Sequence, residues 1–120
     1  MSGLKSRDKG YQITEEQFQD QIFDLAHHLG YKVAHFRPAR TKYGWTTAVS
    51  ADGKGFPDTV LAKEGRPVII AEIKREGSKL SPEQEKWINL LKQVPNIQVF
   101  VWYPSDFEDI VKCLRGEERG

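Results

Sequence analysis

Two acids and a lysine, in two short segments, could form one site in which the carboxylates bind a cation. Asp58 ends the segment Phe-Pro-Asp, and Glu72 and Lys74 frame the segment Glu-Ile-Lys. The two segments belong to the β-rich runs FPDTVLAK and PVIIAEIK, which are joined by a Gly-containing turn, and this arrangement predicts a hairpin. If the turn centres on Gly65, paired residues have numbers that sum to about 130, and Asp58 then faces Glu72. Lys74, two residues further on, shares a face with Glu72, and cross-strand partners on one face lie roughly 5 Å apart.

Two carboxylates opposite each other repel, and this repulsion drives one of them toward protonation unless a cation lies between them. An all-oxygen ligand set favours a hard ion such as Mg²⁺ or Mn²⁺ over zinc. The single cysteine and the three histidines are too scattered to predict a zinc site. The pattern therefore predicts a magnesium or manganese site.

A divalent ion beside a lysine suits phosphodiester hydrolysis. The ion makes bound water a better nucleophile and neutralises a phosphate oxygen, while Lys74 can orient the nucleophile or stabilise developing charge. Each segment also has an ordinary interpretation, since Pro-Asp often begins a turn and Glu-x-Lys often pairs charges on an exposed strand. Their conjunction in an apolar sheet favours a functional site, because unpaired charges are costly there.

The first half of the chain reads as a helix followed by a strand and a long loop. Thr14 and Gln17 fit a capping box. A strand is predicted over 32–37, and the loop over 38–55 has room for a short hairpin. The inward helix positions recur at spacings of four, three and four residues: Phe18, Ile22, Leu25 and Leu29.

The second half adds a helix, a strand and a helix after the hairpin. Ser81 and Gln84 repeat the capping pattern, with Pro82 at the first helical position, and Ser105 to Glu108 is predicted as a third box. The predicted apolar faces are Trp87, Leu91 and Val94 on the first of these helices and Phe107, Ile110, Val111 and Leu114 on the second.

The resulting order, α-β-β-β-α-β-α, predicts a mixed sheet with helices on both faces, the fourth strand running parallel to the third through a right-handed crossover. Strands covered on both faces lose the alternation of apolar and polar residues. This cover would explain why VIIAEI and VFVW are almost entirely apolar.

Length and composition predict one domain. The chain has 120 residues and a formal net charge of +1, so any nucleic-acid surface must be local. We expect a domain over 12–115, a flexible arm over 1–11 and a frayed tail over 116–120. Cys113 cannot form a disulfide within the chain, and no apolar run approaches the roughly 18 residues of a membrane span. These features predict a cytosolic protein without a membrane partner.

The long loop is the best candidate for a DNA contact. Its basic side chains can bind phosphates and its aromatic residues, Tyr43 and Trp45, can stack on unpaired bases. A solvated loop with one aromatic residue packed on the core is the alternative. The predicted nucleic-acid-binding residues are Arg37, Arg40, Lys42 and Lys54.

The motifs, taken with this order of elements, resemble the PD-(D/E)xK nuclease superfamily, and within it the VRR-NUC family, in its stand-alone viral or bacterial form. The resemblance implies a restriction-endonuclease-like αβββαβ core with an extra C-terminal helix. It rests on the segments ITEEQFQDQIFDLAHHLGYKVAHFR, GFPDTVLAKEGRPVIIAEIK, LSPEQEKWINLL and VWYPSDFEDIVKCL.

The resemblance also implies roles for single residues. Asp58 and Glu72 would bind the metal together with the backbone carbonyl of Ile73, and Lys74 would be catalytic. A glutamate of the first helix is a further implied ligand, and Glu15 matches its position.

Two of these assignments have alternatives. Glu16 is the neighbour that could replace Glu15, and acids in a first helical turn also complement the helix dipole. Gln84 matches a position of the family that can face the site, with a catalytic role, but it also completes a capping box with Ser81. His35, on the first strand, could point into the site or be an ordinary core residue.

The resemblance implies a divalent-metal-dependent endonuclease that cleaves branched DNA, such as a Holliday junction or a flap. Symmetric cuts in a four-way junction need two sites, which a C₂ homodimer would supply. A non-catalytic DNA-binding or assembly module that keeps the nuclease fold is the alternative. The intact set of two acids and a lysine favours the enzyme.

Overall fold

The computed structural model of the protein describes residues 13–37, 39–42, 44–46 and 49–117. The predicted arm over 1–11, the last three residues of the predicted tail and Tyr43 lie outside them. The elements are α1 (Glu15–His28), β1 (Lys32–His35), β2 (Ala39–Thr41), β3 (Gly44–Thr46), β4 (Thr59–Ala62), β5 (Val68–Ile73), α2 (Pro82–Leu91), β6 (Ile97–Trp102), a 3₁₀ turn (Pro104–Asp106) and α3 (Phe107–Leu114).

The central sheet has four strands in the order β1-β4-β5-β6. Strand β1 pairs antiparallel with β4, β4 pairs antiparallel with β5, and β6 runs parallel to β5. This mixed α/β architecture is consistent with a restriction-endonuclease-like core, so the predicted fold class is confirmed. The optional hairpin in the long loop is also present, as the antiparallel pair β2 and β3.

The register between β4 and β5 matters most for function. Thr59 pairs with Ala71 and Leu61 with Ile69, so the paired numbers sum to 130, as predicted. Gly65 in the turn has a φ of +82°, a conformation that glycine adopts without strain. The turn chemistry therefore fixes which residues of the two strands face each other.

Helix α1 covers one face of the sheet. Thr14 and Gln17 form the predicted capping box. Phe18, Ile22 and Ala26 are fully buried, whereas the predicted Leu25 and Leu29 are half-buried against the same core. Burial of each large apolar side chain contributes about 1.5–3 kcal/mol, so this face holds α1 and the acidic residues of its first turn in place.

The apolar face predicted for α2 is wrong. Ile88 is its buried residue, whereas Trp87 is half-buried and Val94 is 41% exposed. Val94 misses the core because the helix ends at Leu91, three residues earlier. The predicted capping box of Ser81 is present, so the local signal for the helix start was reliable while the choice of its inward face was not.

The predicted capping box at the start of α3 is also wrong. A 3₁₀ turn precedes α3, and in it the Asp106 carboxylate accepts a hydrogen bond from the Tyr103 backbone N–H at 2.9 Å. Ser105 instead donates its backbone N–H and its hydroxyl to the Glu76 carboxylate, at 3.0 and 3.1 Å. A partner distant in sequence thus outcompetes the local cap. The buried residues of α3 are Ile110, Cys113 and Leu114, while the predicted Phe107 and Val111 are half-buried.

The two apolar strands differ in burial. Strand β5 is buried from Ile69 to Ile73, whereas β6 is half-buried up to Val101 and buried only at Trp102. The expectation that both strands are covered on both faces is wrong for β6, because β6 forms an edge of the sheet. In the part of the chain that the structure describes, no helix has both the length and the apolar character to cross a membrane.

Candidate active site

Asp58 and Glu72 meet at the end of the β4–β5 hairpin ladder. The backbone N–H of Asp58 donates to Glu72 Oε1 at 3.2 Å, and the backbone N–H of Ile73 donates to Asp58 Oδ1 at 3.2 Å. Each carboxylate is thus tied to the backbone of the opposite strand. The register that pairs Thr59 with Ala71 continues to this position, which is why the two acids face each other.

Asp58 has its two oxygens in different environments. Oδ1 also accepts the hydroxyl proton of Thr59 at 2.9 Å, and Thr59 is fully buried. Oδ2 lies 3.9 Å from His35 Nε2. Sequence reasoning overlooked Thr59, although a hydroxyl directly after a candidate ligand is a signal for such a positioning contact.

Glu72 is held from the helix side by Gln84. It is 5% exposed, and the Gln84 side-chain amide donates to Glu72 Oε2 at 3.1 Å. The same amide accepts the Ser81 backbone N–H through its oxygen at 2.8 Å. Gln84 therefore caps the helix and contacts Glu72 at the same time, and the cap fixes the orientation of the amide toward Glu72. Its catalytic role stays a prediction.

Burial makes the carboxyl pair reluctant to ionise. Burial raises the pKa of Asp58 to about 6, and burial together with the neighbouring Asp58 raises the pKa of Glu72 to about 8. The charge of Lys74 lowers both pKa values and that of Glu15 raises them. Near neutral pH the metal-free pair therefore retains a proton, and a cation placed between the oxygens would displace it.

Lys74 follows β5 at the same end of the sheet. Its backbone N–H donates to the Trp102 carbonyl of β6 at 3.0 Å, which fixes its place beside Glu72. The residue is half-buried and lines the same cavity as both carboxylates. The structure thus brings the two acids and the lysine of the original motif together.

The cavity has a volume of about 1100 Å³ and extends from the carboxylates to the first turn of α1. Glu15 and Glu16 both line it. Of these two, Glu15 is the one whose charge raises the pKa of both carboxyls, so it is the better match for the predicted helix residue. Within the described ranges, no three His, Cys, Asp or Glu side chains stand close enough to form a ready-made metal cluster.

The basic residues predicted to bind DNA are distributed unevenly. Arg37 and Lys54 line the cavity, whereas Lys42 is exposed in the turn between β2 and β3 and does not line it. The side chains of Arg40 and Trp45 lie outside what the structure describes. Two basic side chains are thus placed where a phosphate backbone could approach the carboxylates.

The segment that leads into Asp58 rests on α2. Trp87 donates its indole N–H to the Asp52 carbonyl at 3.0 Å and meets the Phe56 ring edge-on at 5.0 Å. Gly55 packs so closely that a Cβ there would lie 2.6 Å from the Glu83 backbone. Sequence reasoning had assigned Trp87 to the core, but its indole instead anchors the wall of the cavity.

His35 was an open candidate and lies in the cavity wall. Its ring packs against Phe23 with centroids 5.1 Å apart, and burial and the nearby Arg37 lower its pKa. The neutral form is therefore favoured at pH 7, and His35 contacts the site without adding a positive charge to it.

The fold and the acid, acid and lysine set define a nuclease domain of the PD-(D/E)xK superfamily. A comparison with protein families agrees, because the VRR-NUC domain matches residues 14–106. The chain belongs to the VRR-NUC family. No curated protein and no solved structure matches it.

A divalent metal, which this superfamily generally uses, fits the residues present. The half-buried Asp58 and the buried Glu72 face each other with raised pKa values, and Asp58 Oδ2 lies 3.9 Å from His35 Nε2 in the cavity wall. Oxygen donors of this kind suit Mg²⁺ or Mn²⁺. Asp58 and Glu72 would hold such an ion. Ile73 lies directly between Glu72 and Lys74 in the chain, with its N–H bonded to Asp58.

Proposed function

We propose that the protein is a divalent-metal-dependent DNA endonuclease that acts on branched DNA. The observation that carries this proposal is the pair formed by the half-buried Asp58 carboxylate and the buried Glu72 carboxylate, each tied to the other's strand, with Lys74 in the same cavity. A purely structural pair would gain nothing from burying two like charges, since each costs free energy there. A metal ion bound between the two carboxylates would offset their repulsion.

Each residue has a part that its surroundings support. A bound Mg²⁺ or Mn²⁺ would supply a Lewis acid for a phosphate oxygen and lower the pKa of the attacking water. Asp58 and Glu72 would hold the ion, and Glu15, which lines the same cavity, contributes negative charge. Lys74 stabilises the charge that develops on the phosphate. Gln84 keeps Glu72 oriented by donating to Oε2.

The shape and charge of the cavity support a nucleic-acid strand as the substrate. Its volume of about 1100 Å³ slightly exceeds the usual range for small-ligand sites, so it can admit part of a nucleic-acid strand. Arg37 and Lys54 supply positive charge for the phosphates. If the substrate is a four-way junction, two symmetric cuts would need a C₂ homodimer.

Cleavage assays test the proposal directly. Labelled four-way junction, flap, single-stranded and linear duplex DNA are incubated with Mg²⁺, Mn²⁺ or EDTA. The wild-type protein should cut branched DNA fastest and only with metal, while Asp58→Asn and Lys74→Ala should lose at least about 100-fold in rate, as is typical when a charged catalytic group is removed. Asp24→Asn and Lys92→Ala, both on exposed residues, are matched controls that should keep wild-type rates.

One result would overturn the proposed enzymatic function. If no substrate is cut while DNA still binds in EDTA and in Asp58→Asn, the protein is a non-catalytic DNA-binding module that has kept the nuclease fold. Cutting that is equally fast on linear duplex and branched DNA would retain the nuclease and remove the proposed structure selectivity.

A further inference from the structure

Phe36 is a large apolar side chain that remains open to solvent in the wall of the catalytic cavity. It is 48% exposed, and the neighbouring His35 and Arg37 line the same cavity. Val49, from a different segment, also lines it and is 52% exposed. Apolar side chains that line a ligand-sized cavity and stay exposed offer a surface on which a ligand can bury its own apolar surface.

The backbone of Phe36 is coupled to the catalytic acid. Its N–H donates to the Asp58 carbonyl at 2.8 Å, which extends the pairing of β1 with β4 by one step beyond His35 and Thr59. The backbone of Phe36, from which the aromatic ring extends, is therefore fixed relative to Asp58. Because Phe36 lines the same cavity as Asp58 and Glu72, a group that stacks on its ring shares that cavity with the phosphate that the carboxylates would reach.

We propose that Phe36 is a stacking platform for an unpaired nucleobase next to the phosphate that is cut. This inference rests on the proposed nuclease function and names the substrate feature that its site selects. The occupant is a nucleotide because Arg37 and Lys54 line the same cavity, so a ligand that is flat, apolar on its faces and anionic along its backbone complements this wall.

Stacking on Phe36 excludes an intact duplex. The faces of paired bases are covered by their neighbours in the helix, whereas a flap, a junction or a single strand offers an uncovered face. The residue therefore determines specificity: it favours DNA with an unpaired nucleotide at the cut site, independently of the base sequence, because every base has a π-face.

Binding of DNA that carries 2-aminopurine, a base whose fluorescence falls on stacking, tests this role. A single 2-aminopurine is moved along a single-stranded oligonucleotide and along a duplex of the same sequence. Binding is measured with Ca²⁺ in a Lys74→Ala background, so that the DNA stays intact. Phe36→Ala removes the ring, Phe36→Trp keeps a stacking surface, and Leu90→Ala, on a residue that is 57% exposed and does not line the cavity, is the matched control.

With Phe36 in place and in Phe36→Trp, we expect the fluorescence of 2-aminopurine to be quenched at one position of the single strand. Phe36→Ala should abolish the quenching and weaken single-strand binding about five- to hundred-fold, leaving duplex binding unchanged. An unaltered melting temperature would show that the variant is folded. Equal weakening for single strand and duplex, quenching that survives in Phe36→Ala, or no binding to any DNA would each overturn the proposal.

Failure of this proposal can be told apart from failure of the nuclease function. Metal-dependent cutting that is lost in Asp58→Asn but unaffected by Phe36→Ala on flap and duplex alike would keep the nuclease and reject the platform. Quenching that depends on Phe36 in a protein that cuts nothing would reject the nuclease and keep the base-stacking site.

Discussion

Replacement of Asp58 by asparagine should stabilise the metal-free protein at pH 8. The variant keeps the shape of the side chain, and its remaining oxygen can still accept from Thr59 and from the Ile73 backbone, as Oδ1 does at 2.9 and 3.2 Å. The amide nitrogen takes the place of Oδ2, which faces His35 at 3.9 Å. The substitution therefore removes a buried charge and leaves the hydrogen bonds on Oδ1 in place.

The size of the effect follows from the pKa of Asp58. Burial raises this pKa from 3.8 to about 6. Between these two pH values the folded protein therefore holds a proton that the unfolded chain has already released. Stability conferred by this group thus falls as the pH rises through the window between 3.8 and about 6, and it stays low above that window. Each pH unit corresponds to about 1.4 kcal/mol. Because 17% of the side chain is exposed, we expect a loss of about 1–3 kcal/mol.

Thermal and urea unfolding in EDTA, followed by circular dichroism at pH 4 and pH 8, measures this difference. Relative to wild type, Asp58→Asn should gain about 1–3 kcal/mol in free energy of unfolding on going from pH 4 to pH 8. This gain corresponds to at least about 4 °C in melting temperature for a domain of this size. Asp24→Asn, on the exposed side of α1, should show no such gain. If Asp58→Asn has the same effect at both pH values, or is less stable at pH 8, the carboxyl pair is not strained by burial and the reasoning fails.

Three further predictions concern the ion and the walls of the site. Saturating Mn²⁺ should raise the free energy of unfolding at pH 8 by about 2.7 kcal/mol at 100 times Kd, and the melting temperature with it. The rise should be smaller at pH 5, where protons compete for the raised-pKa carboxyls; an equal rise at both pH values contradicts the site. Gln84→Glu keeps the cap on Ser81 but sets a carboxylate against Glu72, so it should destabilise the protein at pH 8 by about 1–3 kcal/mol. The matched Gln17→Glu in the cap of α1 should be nearly neutral in urea unfolding, and equal effects would show that Gln84 only caps. Gly55→Ala places a Cβ 2.6 Å from the Glu83 backbone, whereas Gly77→Ala, with a φ of +85° close to the +86° of Gly55, meets open space. Gly55→Ala should therefore lower the free energy of unfolding by at least about 1 kcal/mol more than Gly77→Ala, and it should slow cleavage. Equal losses of stability in the two variants would refute the close packing of this loop on α2.

Local hydrogen bonds and periodicity made much of the fold predictable. The capping boxes of α1 and α2 need only residues three apart, and the hairpin register needs only its turn and its alternation. The pairing of Asp58 with Glu72 follows from that register alone. These features are short-range, so the sequence around them contains the information that specifies them.

The errors occurred where long-range packing decided the outcome. Ser105 has a good local cap available, but the Glu76 carboxylate offers its N–H and hydroxyl two bonds from another loop. Trp87 has a spacing that suits the core, yet its indole N–H gains a partner in the Asp52 carbonyl. Burying an indole with its N–H unpaired would cost free energy, so the polar partner determined its position.

The sequence by itself determined the motif of two acids and a lysine, its placement on two adjacent strands and the family to which the chain belongs. Only the tertiary structure decided how the site is completed. It brings Gln84 onto Glu72, turns α1 so that Glu15 faces the cavity, and leaves Phe36 open in its wall. The physical reason is that strand pairing repeats with a fixed period along the chain, whereas the docking of helices and loops onto a sheet depends on surfaces that form only after the chain has folded.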